Sequence, residues 1–147
     1  MGVKRGWFAS LVVRSGRYAT VVIDETAVID AGAIVSPTAR VWGLAQIREP
    51  AVIGEFVVVG RGVYLGPGVS VGRNSKIQNF AMIYEPAKIG EGCFIGPGVI
   101  LTNDRHPRAI DPKGLQLGPT QWRAEGENVQ CGASIGAGSV CVAPAPI

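Results

Sequence analysis

Residues 51–66 read AVIGEFVVVGRGVYLG. Ile53, Val59 and Leu65 stand six apart, and each is followed by a glycine (Gly54, Gly60, Gly66). Extended in both directions, the step of six runs from Ile23 to Leu101 through fourteen positions, all of them aliphatic. Val, Ile and Leu supply 38 of the 147 residues. Chance agreement in one chosen frame is therefore on the order of 10⁻⁸. A second track, two residues earlier, runs from Val21 through Ala27, Ala33, Ala39, Ala45 and Ala51 to Ser75, Cys93 and Val99, and every member is small. The glycines form a third track, continued at Gly72, Gly90 and Gly96.

Six is a multiple of the strand period of two. The aliphatic residue and the small residue two before it therefore share one face of a short strand. Both are expected to point inward. The following glycine is expected at a corner, with positive φ. Three such sides close a triangular coil of about eighteen residues, and stacked coils pair their backbones at ~4.8 Å. The expected class is all-β, a parallel β-helix filling residues 21–147. Residues 1–20 are set apart by charge. They hold Lys4, Arg5, Arg14 and Arg17 and no acid, and read as a basic N-terminal arm. Their apolar run is too broken for a secretory signal.

Composition narrows the class further. Hydrophobic residues make up 47% and charged ones 17%, which excludes a disordered chain. The 21 glycines and 10 prolines break long helices and exclude a helical bundle. No apolar run reaches the roughly 18 residues of a membrane span, so no membrane insertion is expected. The net charge of +3 is not clustered in the body of the chain, so no nucleic-acid face is expected either. Three cysteines without C-x-x-C spacing and a single histidine give no disulfide framework and no zinc site. No metal is expected, and the compartment is read as cytoplasmic.

The track breaks after Leu101 and resumes out of phase at Val129, Ile135 and Cys141. About twenty residues, near 102–124, must leave the prism as one projecting loop. It carries the only histidine, His106, with Asp104, Arg108 and Trp122. A long polar insertion in a compact domain is usually functional. Histidine titrates near neutral pH and suits a general base. Arg48 and Glu49 read as a surface ion pair of little worth. Trp42 reads as an exposed contact residue.

These tracks resemble the hexapeptide-repeat proteins, which implies that the β-helix is left-handed. Val41-Trp42, Lys76-Ile-Gln-Asn79, Ile83-Tyr-Glu85 and Leu101-Thr-Asn-Asp-Arg-His-Pro-Arg108 are similar to stretches of the sugar-nucleotide N-acetyltransferases of surface polysaccharide synthesis. The resemblance implies an enzyme that moves an acetyl group from acetyl-CoA to the amino group of a nucleotide-linked amino sugar. It implies His106, Asn79 and Asp104 as catalytic candidates. It implies Glu85, Asn103 and Arg108 as substrate-binding candidates. Gly132, Ala133, Gly136 and Ala137 would let the coenzyme lie along the wall. A homotrimer with sites between subunits is implied too. Relatives run on for several more coils, so the C-terminal coils are expected to be truncated, leaving the Ile135 level open. The alternative is a catalytically impaired or non-catalytic hexapeptide-repeat scaffold.

Overall fold

The computed structural model describes residues 22–144 and 147. The basic N-terminal arm assigned to residues 1–20 lies outside the described residues. Seventeen strands of two residues each run from Val22–Ile23 to Val140–Cys141, all in parallel pairs. They stack into three sheets of six, six and five strands. The first sheet carries Arg40–Val41, Lys76–Ile77 and Ser134–Ile135; the second carries Gln46–Ile47, Met82–Ile83 and Ile100–Leu101; the third carries Val52–Ile53, Lys88–Ile89 and Asn128–Val129. Successive strands visit the three sheets in turn. The chain is therefore an all-β, three-sided parallel solenoid of six-residue repeats, the architecture expected of a left-handed β-helix.

Both inward tracks behave as read. Val41, Ile47, Ile53, Val59, Leu65, Ile77, Ile83, Ile95 and Leu101 are at most 1% exposed, and so are Ala39, Ala45, Ala51, Val57, Val63, Ala81 and Val99. Burying an aliphatic side chain contributes roughly 1.5–3 kcal/mol, so the lumen is the main apolar store of the fold. The two end coils are the exception: Ile23 is 43% exposed, and Ile29, Val35, Ala133 and Cys141 are half-buried. Ser75 is the one polar residue on the small track between residues 39 and 101. Its hydroxyl donates to Gly90 O at 2.9 Å and accepts from Cys93 N–H at 3.0 Å, which removes the penalty of burying it.

Backbone hydrogen bonds tie each coil to the next along the axis. Val28 N–H donates to Ala45 O, Gln46 N–H to Val63 O, Tyr64 N–H to Ala81 O and Met82 N–H to Val99 O, at 2.8–3.0 Å. Corners complete the accounting. Phe80 N–H turns back to Arg61 O at 2.8 Å, and Asn74 N–H to Glu55 O at 2.9 Å. Leu44 and Phe56 N–H instead reach the hydroxyls of Thr26 and Thr38, each at 3.0 Å. These four corner residues hold φ between 57° and 60°. Left-handed backbone costs a side-chain-bearing residue on the order of 1 kcal/mol, and here it aims an otherwise orphaned corner N–H at the coil below.

The third track is corrected by the structure. Gly54, Gly60, Gly66, Gly72, Gly90 and Gly96 are not the positive-φ residues; that conformation falls two residues later, for example at Gly62 and Gly98. The track glycines are needed for close approach. A Cβ at Gly72 would lie 2.6 Å from Glu91 N, and one at Gly96 would lie 2.7 Å from Ala137 N. The Ile135 level is not open either. Ile135 is 6% exposed, Ala143 is buried, and Ile147 packs against the core while its carbonyl accepts from Gln130 N–H at 2.6 Å. The expected Arg48–Glu49 pair is replaced by Arg48 Nε on Asp30 Oδ2 at 2.7 Å. Side chains one coil apart meet there, whereas neighbours in sequence point apart.

Gly72→Ala is expected to lower stability by about 1–3 kcal/mol, the cost of overpacking a tight site. Phe56→Gly relieves left-handed backbone and removes an exposed ring, and is expected not to lower the denaturation midpoint. Urea unfolding of the two variants beside the parent checks both.

Candidate functional site

One interruption marks the solenoid. Met82 pairs with Ile100 at the usual step of 18 residues, but Ile100 pairs with Val140 at a step of 40, a surplus of 22. The surplus leaves from the edge shared by the second and third sheets, after Leu101, and returns before Asn128. Glu125 N–H donates to Asn103 O at 2.9 Å and closes the neck of this arm. Further out, Leu117 N–H meets Ala109 O at 3.0 Å, and Ile110 bridges Gln116 in antiparallel fashion. Asp111 fixes the tip, its carboxylate accepting from Lys113 and Leu115 N–H at 2.8 and 2.9 Å.

The two limbs of the arm flank a half-open cleft of about 540 Å³. The outgoing limb supplies Asp104, His106, Pro107, Arg108 and Ala109; the returning limb supplies Leu117, Gln121 and Trp122. Asp104 Oδ1 accepts from His106 N–H at 2.8 Å, a local turn that sets where the imidazole departs. The imidazole itself has no hydrogen-bond partner among the described residues. Arg108 Nη1 donates to Pro107 O at 2.8 Å; the rest of its guanidinium has no partner among the described residues. Three of the expected site residues, Asp104, His106 and Arg108, thus meet in one cleft.

Two others sit at its root. Asn103 opens the neck, two residues past the strand that pairs with Met82–Ile83. Glu85 follows that lower strand, and its Oε2 is buried with no hydrogen-bond partner, folded into the space left by the missing side chain of Gly66. The same Glu-Pro pair recurs on this edge two coils below, where Glu49 Oε2 accepts from Gly32 N–H at 3.1 Å. Tyr64 and Tyr84 lie beside Glu85, with ring centroids 5.4 Å apart. Burial pushes the Tyr64 phenol up, and the charge of Glu85 adds to it. Lower on the edge, the hydrogen bond from Arg48 holds the Asp30 carboxyl below its usual range.

The remaining candidates lie elsewhere. Asn79 sits on the edge between the first and second sheets, and its side-chain oxygen accepts from Arg61 N–H at 2.9 Å. Gly132, Ala133, Gly136 and Ala137 flank the strand Ser134–Ile135 of the first sheet. In a triangular prism that sheet lies opposite the edge bearing the arm. A single chain therefore does not bring these residues to the cleft.

The sequence reading passed over Gln121, Leu117 and Glu127. Glu127 is 1% exposed and takes the inward small-residue slot two before Val129, so its place was legible from spacing. Among the described residues no group of three or more His, Cys, Asp or Glu is arranged to hold a metal ion, and no helix is long and apolar enough to cross a membrane.

The family of bacterial transferase hexapeptides (six repeats) matches residues 50–84 and 68–103. A solved structure, a mutant of perosamine N-acetyltransferase from Caulobacter crescentus in complex with CoA and GDP-perosamine, is similar over 84% of this chain and 54% of that one, at 15% identity and a TM-score of 0.32. The chain thus spans about half the length of that structure. No curated protein matches.

Cys131 is exposed, Cys141 half-buried and Cys93 buried. Burial, and then the charge of Glu127, pushes the Cys141 thiol up, so less of it is thiolate at a given pH. Iodoacetamide at pH 8 is expected to label Cys131 first and Cys141 slowly. Glu127→Gln is expected to speed Cys141 alone, which peptide mass spectrometry reads directly.

Proposed function

Taking the hexapeptide-repeat solenoid as the scaffold, we propose that this chain is an acyltransferase that moves an acetyl group from acetyl-CoA to the amino group of a nucleotide-linked amino sugar. One observation carries the reading: the arm gathers Asp104, His106 and Arg108, three residues of the recognised Leu101–Arg108 stretch, in a single cleft. The transferase family matched by the repeats supports it.

In this reading His106 accepts the proton that the amine sheds as it attacks the thioester carbonyl, and Asp104 holds the segment that carries it. Arg108 faces a phosphate, which its planar fork suits. Asn103 and Glu85, at the root of the arm, orient the amine. The acetyl group passes to nitrogen, the thioester C–S bond breaks, and coenzyme A leaves as the thiol. The coenzyme runs along Gly132, Ala133, Gly136 and Ala137, where small side chains leave the wall flat.

The cleft and that wall face apart within one chain, so the working unit is a homotrimer. The arm of one copy meets the first sheet of the next. Asn79, on the edge bounding that sheet, joins the site from the neighbouring copy. No metal is called for, because a neutral amine attacks a thioester without one. The domain is taken as residues 21–147, with 1–20 read from its charge as a basic arm, and the setting is the cytoplasm, where acetyl-CoA and sugar nucleotides are made.

A thiol-release assay across nucleotide-linked amino sugars is expected to show turnover with at least one. His106→Ala is expected to lower kcat by about 10²-fold or more. An unchanged rate removes His106 as the base. Subunit complementation checks the shared site: His106→Ala and Ala137→Trp are each expected to be inactive alone and to regain activity when unfolded and refolded together. A mixture as inactive as its parts overturns the trimeric site.

A further inference from the structure

The two ends of the solenoid differ. Toward the C-terminus, Ile135 is 6% exposed. At the opposite end, the inward Ile23 is 43% exposed and Ile29 and Val35 are half-buried, whereas Val41, Ile47 and Ile53, one coil above them, are at most 1% exposed. Val22–Ile23, Val28–Ile29 and Ile34–Val35 each stand last in their sheet, paired on one side only among the described residues. A triangular floor of aliphatic side chains, ringed by three free strand edges, therefore faces outward. Such edges are templates for another segment of chain, and contiguous apolar surface of this kind marks a contact.

Charge and chain length select the occupant. The first coil, residues 22–39, carries Asp24, Glu25 and Asp30 and no base. Asp30 is taken by Arg48, while Asp24 and the exposed Glu25 stand together on the edge between the first and second sheets. The residues that precede Val22 join the chain at this same end. They bring Lys4, Arg5, Arg14 and Arg17, no acid, and the apolar run Trp7-Phe-Ala-Ser-Leu-Val-Val13. The nine steps from Val13 to Val22 reach up to about 30 Å, more than the ~20 Å of a six-residue side. A further coil is not expected of this segment. Stepped back by six from Ile23, the inward slots fall on Arg17, Leu11 and Arg5, and charges in a dry lumen are costly. A second copy meeting end to end would set the acids of both first coils against each other.

We propose that the first coil is a docking surface for the chain's own N-terminal segment, with Trp7–Val13 laid across Ile23, Ile29 and Val35 and the flanking basic residues set against Asp24 and Glu25. The apolar run then supplies the contact that a lower coil would have made. Its charges stay at the rim, where water and the acids of the first coil meet them. The docking holds whether or not the chain transfers acyl groups.

Hydrogen exchange of the full chain, read by peptide mass spectrometry, tests it. Peptides covering residues 22–39 are expected to exchange about tenfold faster in the double variant Trp7→Asp, Leu11→Asp than in the parent. Peptides from 58–101 are expected to be unchanged. Both positions precede the first strand, so the variant is expected to keep the parent's circular dichroism. Trp7→Phe with Leu11→Met, which keeps the apolar surface, is expected to exchange like the parent. Equal first-coil exchange in the parent and the aspartate variant overturns the proposal. It does so whether the coil is unprotected or is covered by a second copy, seen as exchange that rises on dilution in both. First-coil protection that appears only with vesicles of anionic phospholipid gives the segment to a membrane surface and overturns it too.

Discussion

Each coil of this solenoid is hydrogen-bonded along its three strands to the coil that follows eighteen residues later. That ladder fixes almost everything else. Strands of two residues are too short to stand alone, so each depends on its neighbours above and below. The spacing between coils leaves no freedom for side chains at the track glycines, where the backbone of the next coil passes within van der Waals reach. It also explains the corners. A corner N–H has no strand to pair with, so the chain turns left-handed and points it back at the coil below, even where the residue is Leu44, Phe56 or Phe80.

The lumen follows from the same ladder. With the coils in register, side chains stack on their own kind: aliphatic over aliphatic in the middle of each sheet, small over small toward the corners. Ser75 and Glu127 are the buried polar exceptions on the small track. Ser75 is absorbed because its hydroxyl joins the ladder through Gly90 and Cys93. Glu127 stands at the coil where the arm rejoins the prism, within electrostatic reach of Cys141.

The arm interrupts the ladder without breaking it. A register step of 40 residues replaces one of 18, and the pairing of Ile100 with Val140 resumes as though nothing had intervened. The inserted residues can therefore be polar, exposed and shaped for a ligand at little cost to the prism. Asp104, Asp111 and Gln121 spend side-chain oxygens on backbone N–H groups of the arm itself. That internal bonding gives a loop with almost no buried apolar surface a defined shape, and it leaves the His106 imidazole, most of the Arg108 guanidinium and the Gln121 amino end facing the cleft.

The order of residues alone determined the solenoid. Period-six aliphatics admit only strands that return to the same face every third side, and the four-residue slip between Leu101 and Val129 announced an ejected segment. It also singled out Asp104, His106 and Arg108, because they are polar residues in that segment. Contacts between coils were beyond its reach. The pairing of Arg48 with Asp30, the steric role of the track glycines and the separation of Asn79 from the arm all depend on what lies eighteen or more residues away. Only the folded chain decides that Gln121 Oε1 meets Gly118 N–H, since that hydrogen bond exists once the turn between them has closed.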